Sequence, residues 1–422
     1  MAGKRRSGFA NDRRPYRYGS GLPTPTATPT PIPYCPPITL ADITLVDGIT
    51  LAADTTILAC QTLTIPSGSS LVIPNGRTIT NNGTIDNVNG GTITIISGGT
   101  ITNNKTINNV GTIDNYGSIA NNSGGIININ GGGIITNYGG GTIDNNSGGT
   151  IATNSGGTIT NNSSGTITNN SGGTITNGAD GSGTFTNDTG LINNLSGTIT
   201  NKDSFTNTGL ITNTGEIVNT STGTINNGDS GNINNNSGGK INNYGIINIE
   251  QTSKITNNAG GTIGDINTTG GSINLSNQGK IDNIGVINNI SSTITTNSKG
   301  KITNTGAIYN FLSTINISNS VSTDVGLDNQ GIIENQSTIN NTGTIINTGT
   351  INNVGGTITN TTGIINNDVA GIIYNNSGGT ITNNGTYTGS GAVNNPTVDG
   401  GCGVGILDGT PAIAATGISC PP

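Results

Sequence analysis

One short phrase recurs through most of this chain, and its spacing limits what the chain can fold into. From residue 77 to about residue 387 the sequence runs through variants of GTITNN, GTIDNN, GTINNV and GGTITNNS. The central apolar residue falls at Ile79, Ile85, Ile93, Ile101 and Ile107, and later at Ile143, Ile151, Ile159, Ile167 and Ile175. Most steps are six or eight residues. Both are even, so on a strand, where side chains alternate faces, each step returns the isoleucine to the same face. A helix of period 3.6 would scatter these positions around its circumference. Ile and Thr favour strands, and Gly, Asn and Ser favour the bends between them. Each unit reads as a strand of three or four residues followed by a corner.

Strands this short are not stable alone. They become stable when successive units wind into coils, so that each coil rests on its neighbours and Ile packs on Ile along the axis. The expected fold is all-β, a single-chain parallel β-helix (β-solenoid) with about three short strands per coil. Two strands per coil remains open on spacing alone. Three units give coils of roughly 18–24 residues and, for about 43 units, about 14 coils. The isoleucines at 79, 85, 143, 151, 159, 167 and 175 are expected to form an inward ladder. The Asn two places after each Ile also points inward, where stacked amides can satisfy one another. Proline agrees: none of the 14 prolines lies between residues 75 and 395, as an uninterrupted hydrogen-bond ladder requires.

The ends differ from the repeat. Residues 1–19 read as a disordered basic arm, with Lys4, Arg5, Arg6, Arg13, Arg14 and Arg17 against one anion, Asp12. Beyond residue 20 the balance reverses to eight cations against 20 anions. The arm is expected to anchor the chain to an anionic component of a particle or cell surface. Residues 20–37 read as a Pro/Thr-rich stalk, expected in extended polyproline II. Residues 38–76 alternate apolar and polar residues and are expected to form capping coils. Residues 388–422 lose the phrase and are expected to form a C-terminal cap or tip module. All four cysteines lie in these end segments, at Cys35, Cys60, Cys402 and Cys420. Local pairing would give Cys35–Cys60 and Cys402–Cys420 disulfides; four free thiols is the alternative.

Composition argues against catalysis. The chain has no His, no Trp and only 8% charged residues, so the commonest general base and metal ligand is missing. Polysaccharide-cleaving β-helices need clustered carboxylates beside Arg or Lys. No Arg lies between residues 78 and 387, and Asp86, Asp114 and Asp144 all occupy the same slot of GTIDN. Four units separate each from the next, which would put them on different sides of a three-strand coil. No catalytic residue, metal site or cofactor is expected. The TIT triplets at 158–160, 166–168 and 174–176 would sit around one coil and not along one face, as an ice-binding surface would need. Tyr116, Tyr138, Tyr244, Tyr309 and Tyr374 are read as isolated surface or corner residues, with sugar stacking as the alternative. No apolar run is long enough to span a membrane, and the basic start lacks the apolar core of a secretory signal.

Residues 62–87, TLTIPSGSSLVIPNGRTITNNGTIDN, resemble the opening of β-helix surface proteins of the filamentous-haemagglutinin or adhesin type. Similar Ile/Asn/Gly/Thr repeats occur in fibre and surface proteins of large DNA viruses. The resemblance covers about residues 38–390 and implies a right-handed parallel β-helix. The expectation is a non-enzymatic structural protein of the virion surface, a rod-like fibre or spike anchored by its basic arm. The alternatives are a cell-surface or extracellular adhesin with a glycan or protein receptor, and a glycan-degrading β-helix enzyme. A homo-oligomer is a further expected partner state.

Overall fold

The computed structural model describes residues 49–409 except 251, 265–270, 276–278, 298, 320–323, 363, 368–371, 376–379, 384–385, 389–391 and 395–405. The arm and the stalk lie outside the described residues. Within the unit Pro37–Pro422, the described chain is a parallel β-solenoid without helix, three strands to the coil. Its strands align into three parallel sheets of 17, 16 and 16 strands. The first strand, fourth strand, seventh strand and so on make the first sheet; the second and third sheets take the other two positions of each coil. At about 4.8 Å between neighbouring strands, sixteen coils extend roughly 75 Å.

Most strands are four residues with the burial order half-buried, buried, half-buried, buried, as in Thr142–Asn145 and Thr166–Asn169. The first buried residue is the apolar one and the second is usually Asn. Ile79, Ile85, Ile143, Ile151, Ile159, Ile167 and Ile175 are all 3% exposed or less, and belong to one continuous core. In register, Ile143 sits on Ile167, and Ile151 on Ile175. Phe185 and Phe205 replace Ile at two successive levels of the first sheet. Their rings stack at 4.8 Å between centroids and 5° between planes.

Corners absorb the variable unit length. Six-residue units turn in two residues, as between Ser204–Asn207 and Leu210–Asn213. Eight-residue units use four, with a left-handed glycine such as Gly148 at φ +77°. The seven-residue steps from Phe185 to Ile192 and on to Ile199 are odd, yet all three side chains are buried. The extra residue sits in the corner in left-handed conformation, Thr189 at φ 57° and Ser196 at φ 59°. The alternation along each strand is therefore preserved.

The inward asparagines form ladders. In the second sheet one ladder runs unbroken from Asn81 through Asn103, Asn121, Asn145 and Asn169 to Asn194. It continues through Asn213, Asn235, Asn257 and Asn283, then through Asn304, Asn329 and Asn347 to Asn367. At every step the Nδ2 of one coil donates to Oδ1 of the next. The coil length read from these steps ranges from 18 residues, Asn103 to Asn121, to 26, Asn257 to Asn283. The amides also bind backbone: Asn161 Nδ2 donates to Gly165 O at 3.0 Å in its own corner and to Leu191 O at 3.1 Å in the next coil. Such satisfaction is what makes so many buried amides tolerable. The ladders of the other two sheets are interrupted by apolar residues, Ile249 and Leu275 in the first and Ile129 in the third. Among the described residues, three orphaned amide atoms lie at ladder ends, Asn87 Oδ1 and Asn341 Oδ1 at starts and Asn375 Nδ2 at a finish; two others, Asn242 Oδ1 and Asn319 Oδ1, lie off the ladders. The placement of the first three follows from the single direction of donation.

At the ends the strand pairing continues. Thr55–Ile57, Thr62–Ile65 and Ser70–Ile73 pair in register with the first repeat coils. Ala392–Asn394 and Ile406–Gly409 pair with Ile372–Asn375 and Thr380–Asn383. Both expected caps thus contribute strands to the three sheets.

Candidate functional site

The outward residues of each strand, Thr, Asn, Ser and occasional charges, form the chemistry the molecule presents. Asp86, Asp114 and Asp144 lie in Thr84–Asn87, Thr112–Asn115 and Thr142–Asn145, members of the third, first and second sheets respectively. No two of them face a common space. Burial raises the Asp114 carboxyl above its ordinary value, against a hydrogen bond from Tyr138 that pulls it down. Among the described residues no group of three or more Asp, Glu and Cys side chains converges as a metal site would require.

Threonine pairs stack farther than their positions around one coil suggest. Thr158 and Thr160 lie in register with Thr184 and Thr186, and these with Ser204 and Thr206, on the first sheet. Beyond these levels only one of each pair is kept: Thr136 beside Ile134 on one side, and Thr224 beside Asn226 on the other.

The lysines also gather. Lys254, Lys280 and Lys301 stand in one column on three successive strands of the second sheet. Like charges in direct register repel. Asp282 and Asp328, each one coil on, offset this: Lys254 Nζ lies 2.5 Å from Asp282 and Lys301 Nζ 3.0 Å from Asp328. Such half-exposed pairs near the surface contribute about 0–1 kcal/mol each.

Two tyrosines read as isolated are a pair. Tyr116 and Tyr138 stack at 4.3 Å with 4° between ring planes. They follow Thr112–Asn115 and Ile134–Asn137, which are neighbours in the first sheet, so the same corner position recurs directly above itself. Their spacing of 22 residues is one coil, a relationship invisible until the coil length is known.

A third cluster was not anticipated. On the third sheet, Tyr309 and Phe311 project outward from Ala307–Phe311 and are 40% and 43% exposed. Leu312 follows at 68% exposure, and Ile332 of the next coil, in register with Ala307, is 49% exposed. Tyr309 is in register with Glu334, whose Oε1 accepts from Gln336 Nε2 at 2.7 Å. The signal available in the sequence was the place of these residues in the unit: one and three positions after the inward Ile308, where Thr and Asn are usual.

Cys60 is in a disulfide, and its partner lies outside the described residues. So do Cys35, Cys402 and Cys420, and the arm residues Lys4, Arg5, Arg6, Arg13, Arg14 and Arg17. No described helix is long and apolar enough to cross a membrane, which says nothing of a β-barrel.

No protein-family model matches the chain, and no curated protein sequence does. Among solved structures, it is similar to a hyper-glycosylated fragment of TibA, whose glycosylation is catalysed by TibC. The match has 20% identity and covers 80% of this chain and 97% of that one, with a TM-score of 0.26. At that TM-score the two chains do not superpose over the length of the match.

Proposed function

We propose that this chain is a non-enzymatic structural rod of the cell surface or the extracellular space, an adhesin whose outward sheet faces meet a receptor. The observation that carries the reading is the amide ladder from Asn81 to Asn367. It stacks each coil on the next, and every strand of the second sheet along it gives one of its two inward positions to it. The outward side chains are the part of the repeat free to vary. The three repeat aspartates stand on separate sheets, whereas glycosidic cleavage needs two carboxyl groups within about 10 Å.

A virion fibre or spike is the second reading. What favours it is the cationic arm at residues 1–20, which suits anchorage to an anionic particle interior. The two share the rod and differ in location. Antibody against the repeat, applied to intact source cells, to culture medium and to purified particles, tests both. Label on cells or in medium supports the adhesin, and label on particles alone supports the fibre. Confinement to the cell interior overturns both. Release of reducing ends from a polysaccharide panel by the purified chain would overturn the non-enzymatic part.

A further inference from the structure

We infer that the outward face around Tyr309 and Phe311 is a binding site for an uncharged oligosaccharide. The inference rests on the adhesin reading and gives it a site.

The two aromatic residues are two apart on one strand. Both therefore leave the same side of the third sheet, about 6.6–6.8 Å apart along the strand. Among the described residues neither makes a ring contact with another aromatic side chain, unlike Tyr116 with Tyr138 or Phe185 with Phe205. At 40% and 43% exposure each keeps part of its surface open to a ligand. Beside them Leu312 holds a left-handed backbone, φ 50°, with its side chain mostly in solvent. The other described non-glycine residues with positive φ are Ser, Thr, Asp or Lys, which suit such corners better than a bulky apolar residue. Sequence drift within a Thr/Asn repeat gives no reason for an aromatic pair, a strained leucine and Ile332 to fall on adjacent coils.

The chemistry of the patch selects the ligand. The exposed parts of Tyr309, Phe311, Leu312 and Ile332 sum to roughly 350 Å², well under the ~800 Å² per partner of a stable protein interface. A second copy of the chain or a folded partner is thus poorly matched. A peptide strand has no purchase either, because Ala307–Asn310 pair with the coils on both sides. A sugar ring needs neither area nor free backbone. Its C–H face lies on an aromatic ring, and its hydroxyls need acceptors and donors at the rim. Glu334 and Gln336 supply both. Their mutual hydrogen bond at 2.7 Å holds the two side chains together while leaving the second carboxylate oxygen and the amide oxygen to accept. The charge at the rim, on Glu334, is negative, so it disfavours sialylated, uronic and sulfated chains.

The test is direct binding of the full chain to immobilised cellohexaose, maltohexaose, mannohexaose and galactohexaose, with heparin as the acidic comparator. Tyr309→Ala, Phe311→Ala and the double variant are measured beside it, with thermal unfolding as a control. Because both side chains project outward, the melting temperature is expected to stay within a few degrees of wild type. The expected result is binding to at least one neutral hexasaccharide, weakened about tenfold or more by each alanine and restored by Tyr309→Trp. Binding to none of the four, preference for heparin, or full binding by the double variant overturns the site. Loss of self-association in the double variant without any saccharide effect also overturns it, in favour of a second copy. Whole-cell adhesion separates the two levels. If the double variant still adheres, the site fails and the adhesin reading stands. If wild type binds sugar but is confined to the cell interior, the site stands and the adhesin reading fails.

Discussion

Asn137 donates through Nδ2 to Oδ1 of Asn161, 2.8 Å away and 24 residues further along the chain. Asn161 repeats the bond to Asn187 at 2.8 Å. Truncating Asn161 to Ala strands the acceptor on Asn187 and leaves the corner carbonyl of Gly165 without its side-chain donor. The expected loss is about 2–6 kcal/mol, from two buried groups at about 1–3 kcal/mol each. Asn161→Thr is expected to lose less. Thr153 already occupies an equivalent slot, donating to Asn177 Oδ1 at 2.9 Å and accepting from Gly178 N at 2.8 Å. Hydrogen exchange of strands 157–161 and 183–187 reads the effect locally, which suits a stack whose coils contact only their neighbours.

In the apolar ladder, Ile167→Ala is expected to cost about 2–4 kcal/mol through lost burial and the cavity left behind. Ile167→Asp adds an unpaired buried charge and should fray the coils on either side. Unchanged thermal unfolding for Ile167→Asp would contradict its inward placement. For the stacked rings, Phe185→Ile and Phe205→Ile are expected to couple, because each ring is the other's partner at 4.8 Å. A double-mutant cycle should return about 0.5–1.5 kcal/mol of interaction.

Two glycines in neighbouring corners should respond differently. A Cβ on Gly165 would lie 2.7 Å from Asn161 Oδ1 and 2.8 Å from Asn137 O. It would push against the amide ladder itself. Gly140, at φ +84°, has nothing within 4 Å of where a Cβ would stand and faces only the backbone penalty. Gly140→Ala is expected to cost about 1–2 kcal/mol, and Gly165→Ala more, with hydrogen exchange at Asn161 and Asn137 rising only in the latter. Equal destabilisation of the two would show that the ladder can give way at no cost.

Acid should act on two aspartates with opposite sign. The Ser155 hydroxyl and amide N–H both donate to Asp180 at 2.7 Å, and they hold its carboxyl at about 2 against an ordinary 3.8. Its folded value lies below the unfolded one, so its stabilisation is present above about pH 4 and is lost as pH falls towards 2. Asp114 is raised by burial above an ordinary 3.8, so its folded form prefers the proton. Its contribution is present below the ordinary value and is lost as pH rises through the raised one. Asp114→Asn is therefore expected to stabilise at about pH 7 and to have no effect at about pH 3. Asp180→Asn should flatten the acid limb between about pH 4 and 2. Thermal unfolding across this range measures both, and a stabilising Asp114→Asn effect that persists at the acid end would refute the burial argument.

Much of the inward half of this molecule was legible. An even spacing from Ile143 to Ile175 needs only strand alternation to place every isoleucine inside, and the Asn two places on follows with it. The seven-residue steps at Ile192 and Ile199 keep the inward face because Thr189 and Ser196 take the odd residue into a left-handed corner, and local conformation of that kind leaves no mark in hydrophobic spacing. The outward half was much less legible. Tyr116 and Tyr138 read as separate residues, and Phe311, Leu312 and Ile332 were not singled out. Outward side chains meet only across coils, so their neighbours depend on how many residues each coil consumes.

The sequence by itself determined the periodicity, and with it the strands, the inward face and the exclusion of proline, because alternation along a strand is a local property of the backbone. The tertiary structure alone decided three strands to the coil, the unbroken amide ladder on one sheet and its interruption on the other two. It also decided which outward residues became neighbours. Coils of 18 to 26 residues bring side chains together by stacking distance, and stacking register is set by the sum of every corner length before it.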